Sequence, residues 1–127
     1  MKAIKMISMS LLIGLFLLLS SSVYAQDPMK AGPKVYKKIL LDNDKVRVMS
    51  AEFVPGATMP WHSHPHHTVY ALTGGKIQIT EKGMPATESN IKAGDVLYFP
   101  PVTHMAKNTG TTTFKIVVTE IKPAKKK

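Results

Sequence analysis

The run Pro60-Trp61-His62-Ser63-His64-Pro65-His66-His67-Thr68-Val69-Tyr70-Ala71-Leu72-Thr73-Gly74-Gly75 holds four of the chain's five histidines, and the fifth is His104. Alternate side chains of an extended strand share one face, so His62 and His64 project together from one side of a sheet. Two imidazoles placed in this way converge on one ion at a nitrogen–metal distance of about 2.0–2.1 Å. Further ligands must come from elsewhere, and His67 and His104 are the candidates. His66 has the parity of His62 and His64, which nominates it in an unbroken strand. Pro65 cannot donate a ladder hydrogen bond and favours a bulge or bend, which would turn His67 inward with Val69 and Ala71. Spacing leaves His66 and His67 as alternatives.

On either side of this run lie short β-type segments separated by turn residues. Val35 to Leu41 leads into Asn43-Asp44, and Val46 to Ala51 alternates with a period of two, both faces mixed, until Pro55-Gly56 breaks it. Thr68 to Leu72 and Lys76 to Thr80 flank Gly74-Gly75, the pattern of a β-hairpin. Glu81-Lys82-Gly83 and Lys92-Ala93-Gly94-Asp95 are further turns, the second leading into Val96-Leu97-Tyr98-Phe99 and then Pro100-Pro101. Asn108-Thr109-Gly110 precedes a β-branched stretch from Thr112 to Ile121. After residue 25 no segment shows an apolar period of 3.6. The expected fold is all-β, a single antiparallel β-barrel or jelly roll over residues 35–122, with little helix apart from the N-terminal segment. Residues 26–34, which include Asp27-Pro28 and Gly32-Pro33, are expected to form a flexible lead-in, and residues 123–127 a basic tail.

Residues 1–25 read as a signal peptide. Lys2 and Lys5 open it, an apolar block runs from Met6 to Leu19, and Val23 and Ala25 stand where a signal peptidase reads small residues. Cleavage after Ala25 predicts a bacterial periplasmic or secreted protein with no stable membrane insertion afterwards. The chain has no cysteine, so a lipoprotein anchor, a disulfide framework and a thiolate metal site are all excluded.

The formal net charge is +9, and loss of Lys2 and Lys5 takes it to +7. Much of the excess sits at the ends, in Lys30, Lys34, Lys37 and Lys38 and in Lys122 with Lys125-Lys126-Lys127. Basic and aromatic residues do not interleave along one strand, so solvated ends explain the charge better than nucleic-acid binding. Nucleic acid is not an expected partner.

The spacing of these residues resembles the cupin superfamily, in its small single-domain form. Gly56, five residues, and His62-Ser63-His64 are similar to the opening of the first cupin motif, and Tyr70-Ala71-Leu72-Thr73-Gly74 to its close. Gly94, five residues, Pro100, then His104, three residues, and Asn108 resemble the second motif. The resemblance implies a metal held by the two histidines of the first motif, a glutamate, and the histidine of the second. Carried over, these are His62, His64 and His104, while His67 occupies the glutamate's position seven residues before Gly74. It also implies a divalent ion (iron, manganese, zinc, nickel or copper), a small-molecule ligand or substrate, and a homodimer. The activity it implies is a metal-dependent oxidoreductase of the dioxygenase kind. The alternative is a non-catalytic cupin that binds a small molecule or the metal alone.

Overall fold

The computed structural model describes residues 26–127, and the expected signal peptide at 1–25 lies outside the described residues. A single helical turn, α1 (Pro28–Ala31), precedes nine strands. They are β1 (Tyr36–Asp42), β2 (Val46–Phe53), β3 (Thr58–His64), β4 (His67–Ala71), β5 (Gly75–Glu81), β6 (Thr87–Ile91), β7 (Val96–Phe99), β8 (Val102–Asn108) and β9 (Phe114–Ile121). They form a five-stranded sheet in the order β1-β2-β9-β4-β7 and a four-stranded sheet in the order β3-β8-β5-β6, and every pairing between these strands is antiparallel. This is the jelly-roll arrangement the sequence predicts. Among the described residues no helix is long and apolar enough to cross a membrane.

Strand alternation builds the interior. In β9, Phe114, Ile116, Val118 and Glu120 are buried while their neighbours face outward or are half-covered. In β2 the inward set is Met49, Ala51 and Phe53, which resolves the mixed faces of that strand and aims Arg47 inward as well. Val69 and Ala71 of β4 and Ile77 of β5 close the core against these residues. The turns fall where the glycines stand: Gly56, Gly83 and Gly94 all have positive φ, near 81–89°, a region L-residues avoid. Asn43 caps the β1–β2 turn by accepting from the amides of Lys45 and Val46 at 2.8 and 2.9 Å.

Two expectations are corrected, and two strands are added. The Gly74-Gly75 hairpin does not exist, because β4 and β5 belong to different sheets and the chain crosses between them there. Gly75 is needed for space: a Cβ would lie 2.7–2.9 Å from Phe114 side-chain atoms. Thr87–Ile91 and Val102–Asn108 are strands, although polar residues and a histidine mask their alternation. The segment 26–34 is packed on the barrel. Asp27 caps α1 at Met29 N (2.9 Å), Pro28 is fully buried, and the Gln26 carbonyl accepts from Ser63 N at 3.1 Å.

Replacing Gly75 by alanine forces a methyl into the Phe114 ring and should cost about 1–3 kcal/mol in urea unfolding, as overpacked cores do. Gly74→Ala, whose Cβ would first meet Ile91 O at 3.3 Å, should cost clearly less. Equal losses would show that the Phe114 contact is not what requires glycine at 75.

Candidate metal centre

Strand register places the site. β3 pairs with β8 so that His62 lies directly opposite His104, and β8 pairs with β5 so that His104 lies opposite Glu81. A register shift between Met59 and His62 keeps both of these side chains inward although they are three residues apart. On the other sheet Arg47, Glu120, His67 and Phe99 line up across β2, β9, β4 and β7. β3 ends at His64, residues 65–66 form a bend, and β4 starts at His67 in the opposite sheet. The bend at Pro65 thus turns His67 inward and leaves His66 exposed, its Nδ1 paired with the Tyr98 hydroxyl at 2.5 Å.

His62, His64, His67 and His104 are all buried, none more than 6% exposed. One ring nitrogen from each of His62, His64 and His104 can be chosen so that all three lie within 4.8 Å of one another, a group able to hold a metal ion. His67 is not in that group, although it lines the same cavity with its ring centroid 4.4 Å from that of His64 and 6.4 Å from that of His104. Its ring stacks on Phe99 at a centroid distance of 5.1 Å.

Outer contacts fix the rings. His62 Nδ1 meets the Pro60 carbonyl at 2.7 Å and His67 Nδ1 the Pro65 carbonyl at 2.8 Å. A carbonyl only accepts, so each ring carries its proton on Nδ1 and presents a bare Nε2. His64 Nδ1 meets Glu120 Oε1 at 2.7 Å, joining the two sheets, while its Nε2 lies 3.2 Å from the Tyr36 hydroxyl. Arg47 holds Glu120 from the other side, with Nε at 2.8 Å and Nη2 at 2.7 Å from Oε2.

These residues fit a divalent ion. His62 Nε2 and His104 Nε2 stand 3.0 Å apart. Two nitrogens each about 2.1 Å from one ion and at right angles about it have this same separation. Without a cation the pair is in conflict. Either His104 spends its proton on His62 and leaves its buried, unpartnered Nδ1 as a bare acceptor, or two lone pairs face each other. A cation shared by both Nε2 atoms removes the facing lone pairs, with the His104 proton then on Nδ1. Ligating histidines that donate their other nitrogen to a carbonyl or carboxylate are the usual support of such sites.

The cavity they line has a volume of about 300 Å³. Its walls are largely apolar, with Phe53, Val69, Ile77, Leu97, Phe114 and Val118 among them, and Glu81 is the carboxylate that lines it. Sequence reasoning set Glu81 aside as a turn residue and passed over Glu120, Arg47 and Tyr36. Strand parity held the signal for two of these, since Glu120 continues the buried face of Phe114, Ile116 and Val118, and Arg47 that of Met49 and Ala51. Trp61 and Tyr70 are exposed. Asn108, fully buried, donates to the carbonyls of Phe53 and Thr112 and accepts from Gly110 N, so its place in the second motif is structural.

Two antiparallel sheets that close around a cavity, with histidines converging from separate strands, define a small β-barrel with a candidate metal site. The cupin-domain family model matches residues 49–120, and the chain belongs to that family. Among solved structures it is similar to a cupin domain from Bordetella pertussis, with 28% identity, a TM-score of 0.64, and coverage of 68% of this chain and 91% of that one. It also resembles a cupin-like protein from Thermotoga maritima, with 29% identity, a TM-score of 0.54 and 65% of each chain covered. A cupin with a double-stranded β-helix fold from Methanocaldococcus jannaschii shares the fold at 19% identity, with a TM-score of 0.58 over 68% of this chain and 78% of that one. No curated protein matches the chain.

Burial is the main force on the imidazoles, pushing His62 and His67 down to about 4 and His104 to about 3. An unfolded imidazole titrates near 6.5, so below that pH the unfolded chain takes up protons that the folded one refuses. Metal-free protein should therefore hold its full stability above pH 6.5 and lose it as the pH falls towards 4. The slope approaches about 1.4 kcal/mol per pH unit for each histidine involved. Denaturant unfolding at pH 7.5, 6.0 and 5.0 reads this directly, and a flat profile would mean that the rings are solvated.

Proposed function

We propose that the protein is an exported cupin that holds one divalent metal ion on His62, His64 and His104, with His67 as the fourth imidazole. In this reading it is an oxidoreductase of the dioxygenase kind, acting on a small chelating anion such as a β-dicarbonyl, a hydroxy acid or a phenol. The convergence of three buried histidines in the wall of a largely apolar cavity carries the proposal. Export rests on the sequence of residues 1–25.

A metal bound by neutral imidazoles alone keeps its full +2 charge and supplies strong Lewis acidity towards anions. The chain does the rest. Apolar walls displace water from a ligand seated against the histidines, which strengthens every electrostatic contact there. Tyr36 is buried, and its hydroxyl is pushed far above the ordinary tyrosine range by that burial and by Glu120, so it stays a donor. Glu81, in register with His104 and open to solvent, is placed to accept a proton from an incoming acid and pass it to water.

One observation favours a second reading, a cupin that binds metal or ligand without turnover. Among the described residues the carboxylate on the cavity wall is Glu81, which is exposed, and a fourth imidazole uses a coordination position that a substrate would need. Oxygen uptake by iron- or manganese-loaded protein with a panel of β-dicarbonyls, hydroxy acids and catechols separates the two. Turnover that falls at least tenfold in Glu81→Gln while metal content is unchanged supports the first, and metal binding without uptake supports the second.

The ligand set has its own test. One metal per chain should be retained by the wild type, lost in His62→Ala, His64→Ala and His104→Ala, weakened in His67→Ala and unaffected in His66→Ala. Elemental analysis after gel filtration, alongside circular dichroism to verify folding, measures it. Full retention in both His62→Ala and His64→Ala would overturn the site.

A further inference from the structure

The segment that follows the expected cleavage point is joined to the metal centre by an unbroken chain of charged contacts. Asp27 Oδ2 lies 2.6 Å from Arg47 Nη2, and Arg47 Nη2 and Nε hold Glu120 Oε2 at 2.7 and 2.8 Å. Glu120 Oε1 in turn accepts from His64 Nδ1 at 2.7 Å. Glu120 is 4% exposed and His64 likewise 4%, so neither has water to substitute for a lost partner. The segment is well seated. Gln26 bridges in parallel to His62, its carbonyl takes the Ser63 amide, Pro28 is buried, and Gly32 packs so closely on the Met59 sulfur that no Cβ fits.

We propose that Asp27 is a positioning residue for the metal site, acting through Arg47 and Glu120 to hold His64 with its proton on Nδ1 and its Nε2, which faces the Tyr36 hydroxyl, unprotonated for ligation. Residues 26–32 are then a strap whose docking completes the site rather than a leader remnant. The physical reason lies in the Arg47 fork. Nε and Nη2 both engage Oε2 of Glu120, which leaves Oε1 for His64. Asp27 holds the same Nη2 that bonds Glu120, so it fixes the guanidinium and, through it, the carboxylate. Asp27 has a second task, since its Oδ1 caps α1 at Met29 N. Asparagine keeps an acceptor for that cap and loses the ion pair, so Asp27→Asn separates the two roles.

The inference rests on the metal reading of the histidine cluster, and its test has two readouts that fail separately. Zinc titration calorimetry at pH 7.5 is run on the full mature protein and its variants, with nitrogen NMR of the His64 ring on the same samples before zinc is added. Loss of the carboxylate that orients a ligating histidine weakens metal binding by about 10–100-fold, which is the loss expected for Glu120→Gln. Asp27→Asn, one partner further out, should lose about tenfold with stoichiometry unchanged, and Asp27→Glu should regain most of it. In metal-free Asp27→Asn the His64 ring should become a mixture of tautomers. Wild-type affinity and a single Nδ1–H tautomer in Asp27→Asn, even with a lowered melting temperature, would overturn the proposal by reducing Asp27 to a structural tie. Arg47→Lys keeps the charge without the fork and reads the same relay if Asp27→Asn does not fold. If the wild type bound no zinc, the metal reading would fail, and the tautomer measurement would still decide the relay.

Discussion

The pairing of β3 with β8 is the constraint from which the site follows. Antiparallel register is all-or-none at the level of side chains, since a one-residue slip exchanges the two faces of a strand. With His62 set opposite His104, His64 necessarily follows on the same face, and the third strand of that sheet brings Glu81 into the same row. The shift between Met59 and His62 lets the chain satisfy two demands in one strand, an apolar plug at one end and imidazoles at the other. Burying four imidazoles is unfavourable unless their nitrogens find partners. The proline carbonyls at 60 and 65 and the carboxylate of Glu120 meet that demand for three of them. Among the described residues His104 Nδ1 has no partner, while its Nε2 faces that of His62 at 3.0 Å, the contact that an ion between them would relieve.

The two sheets divide the labour. The four-stranded sheet supplies His62, His64 and His104, and the five-stranded sheet supplies His67, Glu120 and Arg47, which support them from across the cavity. Placing the charged support on the opposite sheet has a consequence for folding. The Glu120–His64 contact forms only when the sheets close, so the geometry of the centre depends on tertiary packing rather than on any one hairpin. The Gly75–Phe114 contact, which also joins residues of different sheets, belongs to the same closure.

Much of this was legible in the chain before any coordinates. Glycine and proline punctuation with short β-branched runs marked an all-β barrel, and the spacing of His62, His64 and His104 from their glycines marked the cupin pattern. Parity predicted that His62 and His64 share a face, and Pro65 marked where the parity breaks. The errors have physical causes. Gly74-Gly75 carries the signature of a tight turn, but Gly75 is there for clearance from Phe114, and propensity does not distinguish conformation from space. The strands at 87–91 and 102–108 were hidden because one is mostly exposed and the other spends its inward positions on His104, Ala106 and Asn108. The role of Glu120 was hidden by distance, since 56 residues separate it from His64. Asp27 falls in the expected flexible lead-in because local sequence does not report a partner twenty residues away.

The account stands on three imidazoles, from two strands, meeting at one ion. X-ray absorption spectroscopy of protein loaded with one equivalent of zinc or cobalt tests this most directly, because imidazole rings scatter with a pattern that water and carboxylate do not produce. The account predicts at least three histidine nitrogens at about 2.0–2.1 Å. A shell of oxygen scatterers with one imidazole or none would contradict it.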